Sequence, residues 1–345
     1  MSATLSPRVF EGPDALGETL AHEIADGIAE AGRAGHRYVL GCPGGRSPKP
    51  VYDALAVLTA ERGLDLRHVV IAMMDEYVVP APGGGYQDVP HRAHNSCHRF
   101  ADEEIVAPLN AAAGPGRGIP ADAVWFPHPA DPAAYEEQLV GAGGVDLFIL
   151  ASGASDGHIA FNPPGSPEDS GSRVTELADT TREDNLATFP GFASLDEVPH
   201  HGVTVGVRTI VTHSRRAVMV VHGDHKREAV RRLTNATGYD PSWPATLVTQ
   251  CKDPALYVDR AAAGPPQAPD PQGDGAAAGS RRDPAPLADR AAAAPPQAPA
   301  PQADHAAAPS RQAPAPPVDR TPAASHQAPA PPVGREAPGA PRDPA

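Results

Sequence analysis

An aspartate and a histidine two residues apart, Asp156 and His158, follow the mostly apolar run Val145-Asp146-Leu147-Phe148-Ile149-Leu150 through the small residues Ala151-Ser152-Gly153-Ala154-Ser155. A carboxylate beside an imidazole is an acid-base pair, because imidazole exchanges protons near neutral pH. The same spacing also suits a turn whose aspartate caps a helix while the histidine packs, and spacing alone does not separate the two readings. Other polar groups occupy comparable places. Asp75 and Glu76 end the run Val69 to Met74, and Gly44-Gly45-Arg46-Ser47 follows Tyr38 to Gly41. That loop offers backbone N–H groups, a hydroxyl and a guanidinium to an anion, with the positive end of a helix dipole behind them. It has neither the Walker spacing nor the dinucleotide fingerprint, so an ordinary glycine turn explains it equally well. Lys226, at the start of a predicted helix, offers a further positive charge or is simply solvated.

These groups need a scaffold that brings strand ends together. Tyr38 to Gly41, Val69 to Met74, Val145 to Leu150, Gly202 to Val207 and Ala217 to Val221 are short apolar runs bounded by small or charged residues, as buried strands are. Leu16, Leu20, Ile24 and Ile28 recur every four positions and predict an amphipathic helix that stops near Gly32 to Gly35. Pro48 suits the first turn of a helix after the glycine loop. Alternating strands and helices imply an α/β fold: a doubly wound, mainly parallel, Rossmann-like sheet with helices on both faces. Ligands in such sheets bind beyond the carboxyl ends of the strands, where all of these polar groups lie.

Composition bounds the rest. The chain has 345 residues, and near residue 261 its character changes to Ala, Pro, Gln, Arg and Asp with near-repeats such as Asp259 to Pro269 against Asp289 to Pro299. These units lack a bulky apolar face, so residues 261–345 are expected to form a disordered tail after a catalytic body of residues 1–260. The net charge of -14 and scarce lysine argue against nucleic acid as a partner. No run reaches the roughly 18 apolar residues of a membrane span, and no apolar signal core follows Met1. Cys42, Cys97 and Cys251 suggest no disulfide framework, so a soluble cytoplasmic protein is expected.

Met74-Asp75-Glu76-Tyr77, Asp156-Gly157-His158-Ile159-Ala160-Phe161-Asn162 and Thr204-Val205-Gly206-Val207 together resemble, in order and spacing, the glucosamine-6-phosphate deaminase family. The resemblance runs from about Tyr38 to Asp259. It implies a cofactor-free aldose-ketose isomerisation with loss of ammonia, acting on a phosphorylated amino sugar. By the resemblance, His158 assists ring opening, Asp156 orients and polarises it, and Asp75 moves a proton from C2 to C1. A phosphate would fit the loop of Gly44, Gly45, Arg46 and Ser47, and Lys226 matches the phosphate-binding lysine of the family. Three positions depart from the family pattern: Pro163 and Ala187 replace a glutamate that supports the histidine and an arginine that grips phosphate, and Cys251 stands where histidine is frequent. Arg46, Arg182 or Arg208 are candidates to compensate for the second. Arg173 matches an allosteric arginine, but Thr175 replaces its basic companion, so family-style allostery is not expected and a surface ion pair serves as well. A homo-oligomer is compatible with the sequence.

His91, His94, Cys97 and His98 crowd zinc-ligating side chains into eight residues, and helical geometry would put the three histidines on one face. A polar, substrate-contacting or surface helix is the preferred reading, with no metal. Two other functions compete with the deaminase. The related 6-phosphogluconolactonases also carry Asp-Gly-His, but Ile159 to Asn162 and Asp75-Glu76-Tyr77 resemble the deaminase branch. A sugar-phosphate-binding protein without turnover would accommodate Pro163 and Ala187.

Overall fold

The computed structural model describes residues 5–189 and 191–265. Seven parallel strands form the main sheet: β1 (Pro7–Phe10), β2 (Tyr38–Cys42), β3 (Val69–Met73), β6 (Val124–Trp125), β7 (Leu147–Leu150), β10 (Ala217–Val221) and β11 (Pro254–Asp259). Their order is β1-β11-β10-β7-β2-β3-β6. The expected parallel α/β fold is therefore present. From the central pair β2 and β7 the chain winds outward on both sides, so the crevice between their carboxyl ends is the topological switch point where such sheets bind ligands.

The continuous apolar runs have a physical reason in this sheet. Tyr38, Leu40 and Cys42 of β2, Val69, Ile71 and Met73 of β3, and Leu147 and Ile149 of β7 pack into one core with helices α1 (Pro13–Ala34) and α2 (Lys49–Arg62). The alternate residues Val39, Val70, Ala72, Phe148 and Leu150 pack on the opposite face with residues from the helices Pro132–Gly141, Val207–His213 and Arg227–Asn235. A strand covered on both faces has no position left for a polar residue. Helix α1 buries Leu16, Leu20, Ile24 and Ile28, and ends at Gly35 in the left-handed conformation, as the four-residue repeat predicts.

A second sheet departs from the single-sheet expectation. β4 (Asp75–Pro80), β5 (Tyr86–Asp88), β8 (Arg173–Glu176) and β9 (His201–Thr204) are antiparallel, in the order β5-β4-β9-β8. The predicted strand Gly202 to Val207 thus splits. Its first half pairs in the small sheet, and Val207 begins a helix. The sequence could not reveal this, because a short apolar run does not name its pairing partner. The chain passes from one sheet to the other at Met74, whose carbonyl accepts the Val205 N–H at 2.9 Å. A small core of Tyr77, Val89, Cys97, Phe161 and Leu177 lies with the second sheet.

Ordered packing continues past residue 260. Asp259 caps the helix Arg260–Ala263 through the Ala262 N–H at 2.8 Å, and Ala262 is buried. Of the predicted disordered tail, residues 261–345, the part from residue 266 onward lies outside the described residues. Among the described residues no helix is long and apolar enough to cross a membrane. The three cysteines are free and buried.

Candidate active site

The carboxyl ends of β2, β3, β7 and β10 border a cavity of about 370 Å³. Gly44, Gly45, Arg46, Ser47, Asp75, His158 and Lys226 all line it, so the structure brings the sequence-predicted residues into one place. Asp156 stands directly behind His158. Arg46 also borders a shallower groove of about 580 Å³ over α1 and α2. That groove is lined by surface charges such as Glu18, Lys49 and Asp53 and contains none of the predicted acid-base residues.

Asp156 and His158 form a fixed dyad. The carboxylate Oδ1 lies 2.7 Å from His158 Nδ1 and accepts the His158 backbone N–H at 3.0 Å. Its Oδ2 accepts the hydroxyls of Thr180 at 2.7 Å and Thr181 at 2.9 Å. Burial works against the charge, yet these hydrogen bonds and the adjacent imidazole hold the Asp156 carboxyl well below the usual range. An ionised Asp156 fixes the proton on Nδ1 and leaves Nε2 as the free ring nitrogen. Two glycines make the arrangement fit. A Cβ on Gly153 would lie 2.3 Å from His158 Nδ1, and one on Gly157, at φ +67°, would lie 2.3 Å from the Trp243 ring. Only a side-chain-free backbone can approach this closely.

Asp75 is the first residue of β4, at the switch between the two sheets, and is buried. Burial raises its carboxyl from 3.8 to about 7, opposed by the Cys97 thiol, which donates to Oδ1 at 3.4 Å, and by His158. A group with that affinity can both take and return a proton near neutral pH. The neighbouring Glu76 has a different task. It is fully buried and accepts four hydrogen bonds, from Tyr77 N–H, Ser96 Oγ, Cys97 N–H and His98 N–H, at 2.7 to 2.9 Å. It therefore anchors the start of the helix that carries Cys97 to Asp75.

At the cationic end, burial lowers the affinity of Lys226 for its proton, and its ammonium donates to the Ser152 carbonyl. Arg46 is exposed on the glycine loop. The other two candidate arginines are not available there. Arg182 is buried and engaged with Asp179, Leu195 and Val198, while Arg208 borders a separate groove beside Glu136. Arg173 is no surface ion pair: it donates to Asn162 Oδ1 at 2.9 Å and Ser166 Oγ at 3.2 Å, bracing the turn that contains Pro163. Ala187 belongs to the helix Asp179–Thr188, which presents Asp184, Asn185 and Thr188 to the cavity. Cys251 is buried, with its thiol directed at the Leu247 carbonyl at 3.8 Å.

Sequence reasoning missed Asp184, His222, His225 and the Thr180–Thr181 pair. His222 follows the β10 run and was open to the same strand-end logic, whereas nothing local marked Asp184. One ligand atom each from Asp156, His158 and Asp184 lie within 4.8 Å of one another, so a second carboxylate stands by the dyad. The histidine-rich segment does not form one helical face. The helix starts only at Cys97, behind Ser96 as its cap, so residues 91–96 are turns. His94 packs on Phe192, Cys97 turns to Asp75, and His91 and His98 stack together.

The family model described as glucosamine-6-phosphate isomerases/6-phosphogluconolactonase matches residues 11–257. A glucosamine-6-phosphate deaminase of Arthrobacter sp. (strain FB24) is 40% identical over 209 residues, 60% of this chain and 74% of that protein. The deaminase of Pseudarthrobacter chlorophenolicus is 38% identical over 240 residues, 69% of this chain and 85% of that protein. Among solved structures, a monomeric glucosamine-6-phosphate deaminase superposes with a TM-score of 0.64 at 25% identity, over 75% of this chain and 99% of the other. A 6-phosphogluconolactonase from Shewanella baltica shares the fold at a TM-score of 0.53 and 21% identity, over 75% of this chain and all of that one. With the fold, the strand-end site and these similarities in agreement, this chain belongs to the glucosamine-6-phosphate isomerase/6-phosphogluconolactonase family.

Proposed function

We propose that this protein converts an amino-sugar phosphate, glucosamine 6-phosphate or a close relative, to a ketose phosphate and ammonia without a cofactor. The observation that carries the reading is Asp75, a buried carboxyl with an affinity near neutral, lining the same cavity as the Asp156–His158 dyad. His158 moves a proton at the ring oxygen and opens the sugar, with Asp156 holding the imidazole. Asp75 then removes the C2 proton of the open-chain aldehyde and returns it at C1. This leaves an imine at C2. Water adds to that carbon, the C–N bond breaks, and ammonia leaves: amino-sugar phosphate plus water gives ketose phosphate plus ammonia.

Gly44, Gly45, Arg46, Ser47 and Lys226 hold the phosphate, with Arg46 and Lys226 supplying charge in place of an arginine at Ala187. Asp184 stands in for the carboxylate that Pro163 removes. The names of the relatives support the substrate class, and the three free, buried cysteines suit a cytoplasmic location. The chemistry is assigned to residues 1–260 and none of it to residues 261–345.

A panel of amino-sugar and neutral-sugar phosphates, followed for ammonia and ketose together, tests this. Equal release of both products from glucosamine 6-phosphate, lost in Asp75→Asn, is the expected result. Hydrolysis of 6-phosphogluconolactone without ammonia release would replace it with the lactonase reading, and binding without turnover with a sugar-phosphate sensor.

A further inference from the structure

Outside the catalytic cavity, β5, the turn after it and the Cys97 helix bring together Asp88, His91 and His98. One donor atom of each lies within 4.8 Å of the others, and His98 Nε2 is 4.0 Å from Asp88 Oδ2. None of the three lines the cavity. We propose that Asp88, His91 and His98 form a zinc site that clamps β5 and its turn to the helix carrying Cys97.

Several features of the cluster point to a cation. Asp88 Oδ1 is buried and has no hydrogen-bond partner among the described residues, and a buried carboxylate oxygen left alone is costly unless something positive completes it. Two imidazoles and a carboxylate are a donor set suited to zinc, with water in the fourth position.

The geometry also states what must move. The rings of His91 and His98 stack at 3.8 Å with planes 11° apart, and a metal cannot lie in two parallel ring planes at once. His98 is held from its other side by Phe126 at 3.6 Å, so it stays. His91 is exposed on a turn, and its ring is the one that must leave the stack and rotate toward Asp88. The proposed donor set takes His91 and His98 from the histidine-rich segment, whereas His94 packs on Phe192 and Cys97 turns to Asp75.

The full chain, stripped with chelator and re-equilibrated with micromolar zinc, provides the test. Metal content is measured for the parent, Asp88→Asn, His91→Ala, His98→Gln and His158→Gln. The last variant is the control, because Asp156, His158 and Asp184 in the catalytic cavity also lie within ligand reach of one another. The expected result is one zinc per chain in the parent and in His158→Gln, and under one-tenth of that in the other three. Zinc should raise the parent Tm by several degrees and leave the Tm of His91→Ala unchanged. Replacing the exposed His91 leaves the packed core intact, so a failure of that variant to lose zinc is not a folding artefact. Absence of zinc from the parent, unchanged zinc in His91→Ala and Asp88→Asn, or loss only in His158→Gln would overturn the site.

Discussion

Replacing Asp75 by asparagine separates two consequences of burying a carboxyl where a base is required. In the folded protein burial raises this carboxyl from 3.8 to about 7. Between those values the folded state holds a proton that the unfolded chain has lost. Stability contributed by the group is therefore complete below about pH 4, falls as pH rises toward 7 and then levels off. About 3 units at roughly 1.4 kcal/mol each set a ceiling of about 4 kcal/mol. Relaxation and water entry reduce such penalties, so about 1–3 kcal/mol is the working figure. The asparagine side chain would keep the shape and an oxygen to accept the Cys97 thiol, now 3.4 Å from Oδ1, but carries no charge. The variant should melt about 3–10 °C above the parent at pH 8 and level with it at pH 4, while deamination falls by about 10²–10⁴-fold. Melting curves at both pH values and an ammonia assay measure this. A gap that is equal at both pH values, or a variant less stable at pH 8, would refute the argument that burial of the charged form sets the affinity of Asp75.

His158→Ala should reduce turnover of the closed-ring sugar phosphate by about 10²–10⁴-fold, and unchanged turnover would remove the residue from the mechanism. Lys226→Ala should raise KM for the phosphorylated substrate by about 10–100-fold with kcat much less affected, since a charge-assisted contact contributes roughly 1.5–3 kcal/mol; an unaltered KM would move the phosphate elsewhere. Gly157→Ala forces a side chain into left-handed backbone and against Trp243 at 2.3 Å, so a loss of about 2–4 kcal/mol is expected in denaturant unfolding, and parental stability would show that the turn has room. Glu76→Gln turns an amide NH₂ toward N–H donors that now share the carboxylate, at a cost of about 2–3 kcal/mol; an unchanged Tm would mean that the Cys97 helix is anchored otherwise.

The parallel sheet was legible because its strands are covered on both faces: a run such as Val69 to Met73 has no alternation to lose, and its ends are marked by charge. The second sheet was not, because Gly202 to Val207 reads as one more apolar run, and only the pairing of His201 to Thr204 with Asp75 to Val78 assigns its first half to a separate layer. The site divides in the same way. Asp156 and His158 stand close in sequence and form their bond through a local turn, so the motif contains its own geometry. Asp184 comes to the dyad from a helix more than twenty residues further on, and no local feature names its partners.

Periodicity and neighbours a few residues away were enough to specify the fold class and the strand ends where polar groups gather, while Asp156 and His158 gained their acid-base reading from the family resemblance. Folding in three dimensions added which charges are buried, which arginines are already engaged and which carboxylates meet a histidine from another element. Those depend on desolvation and on contacts between residues far apart in the chain, as Asp75 illustrates: its type was evident from the start, but its proton affinity was created by the junction of two sheets that buries it.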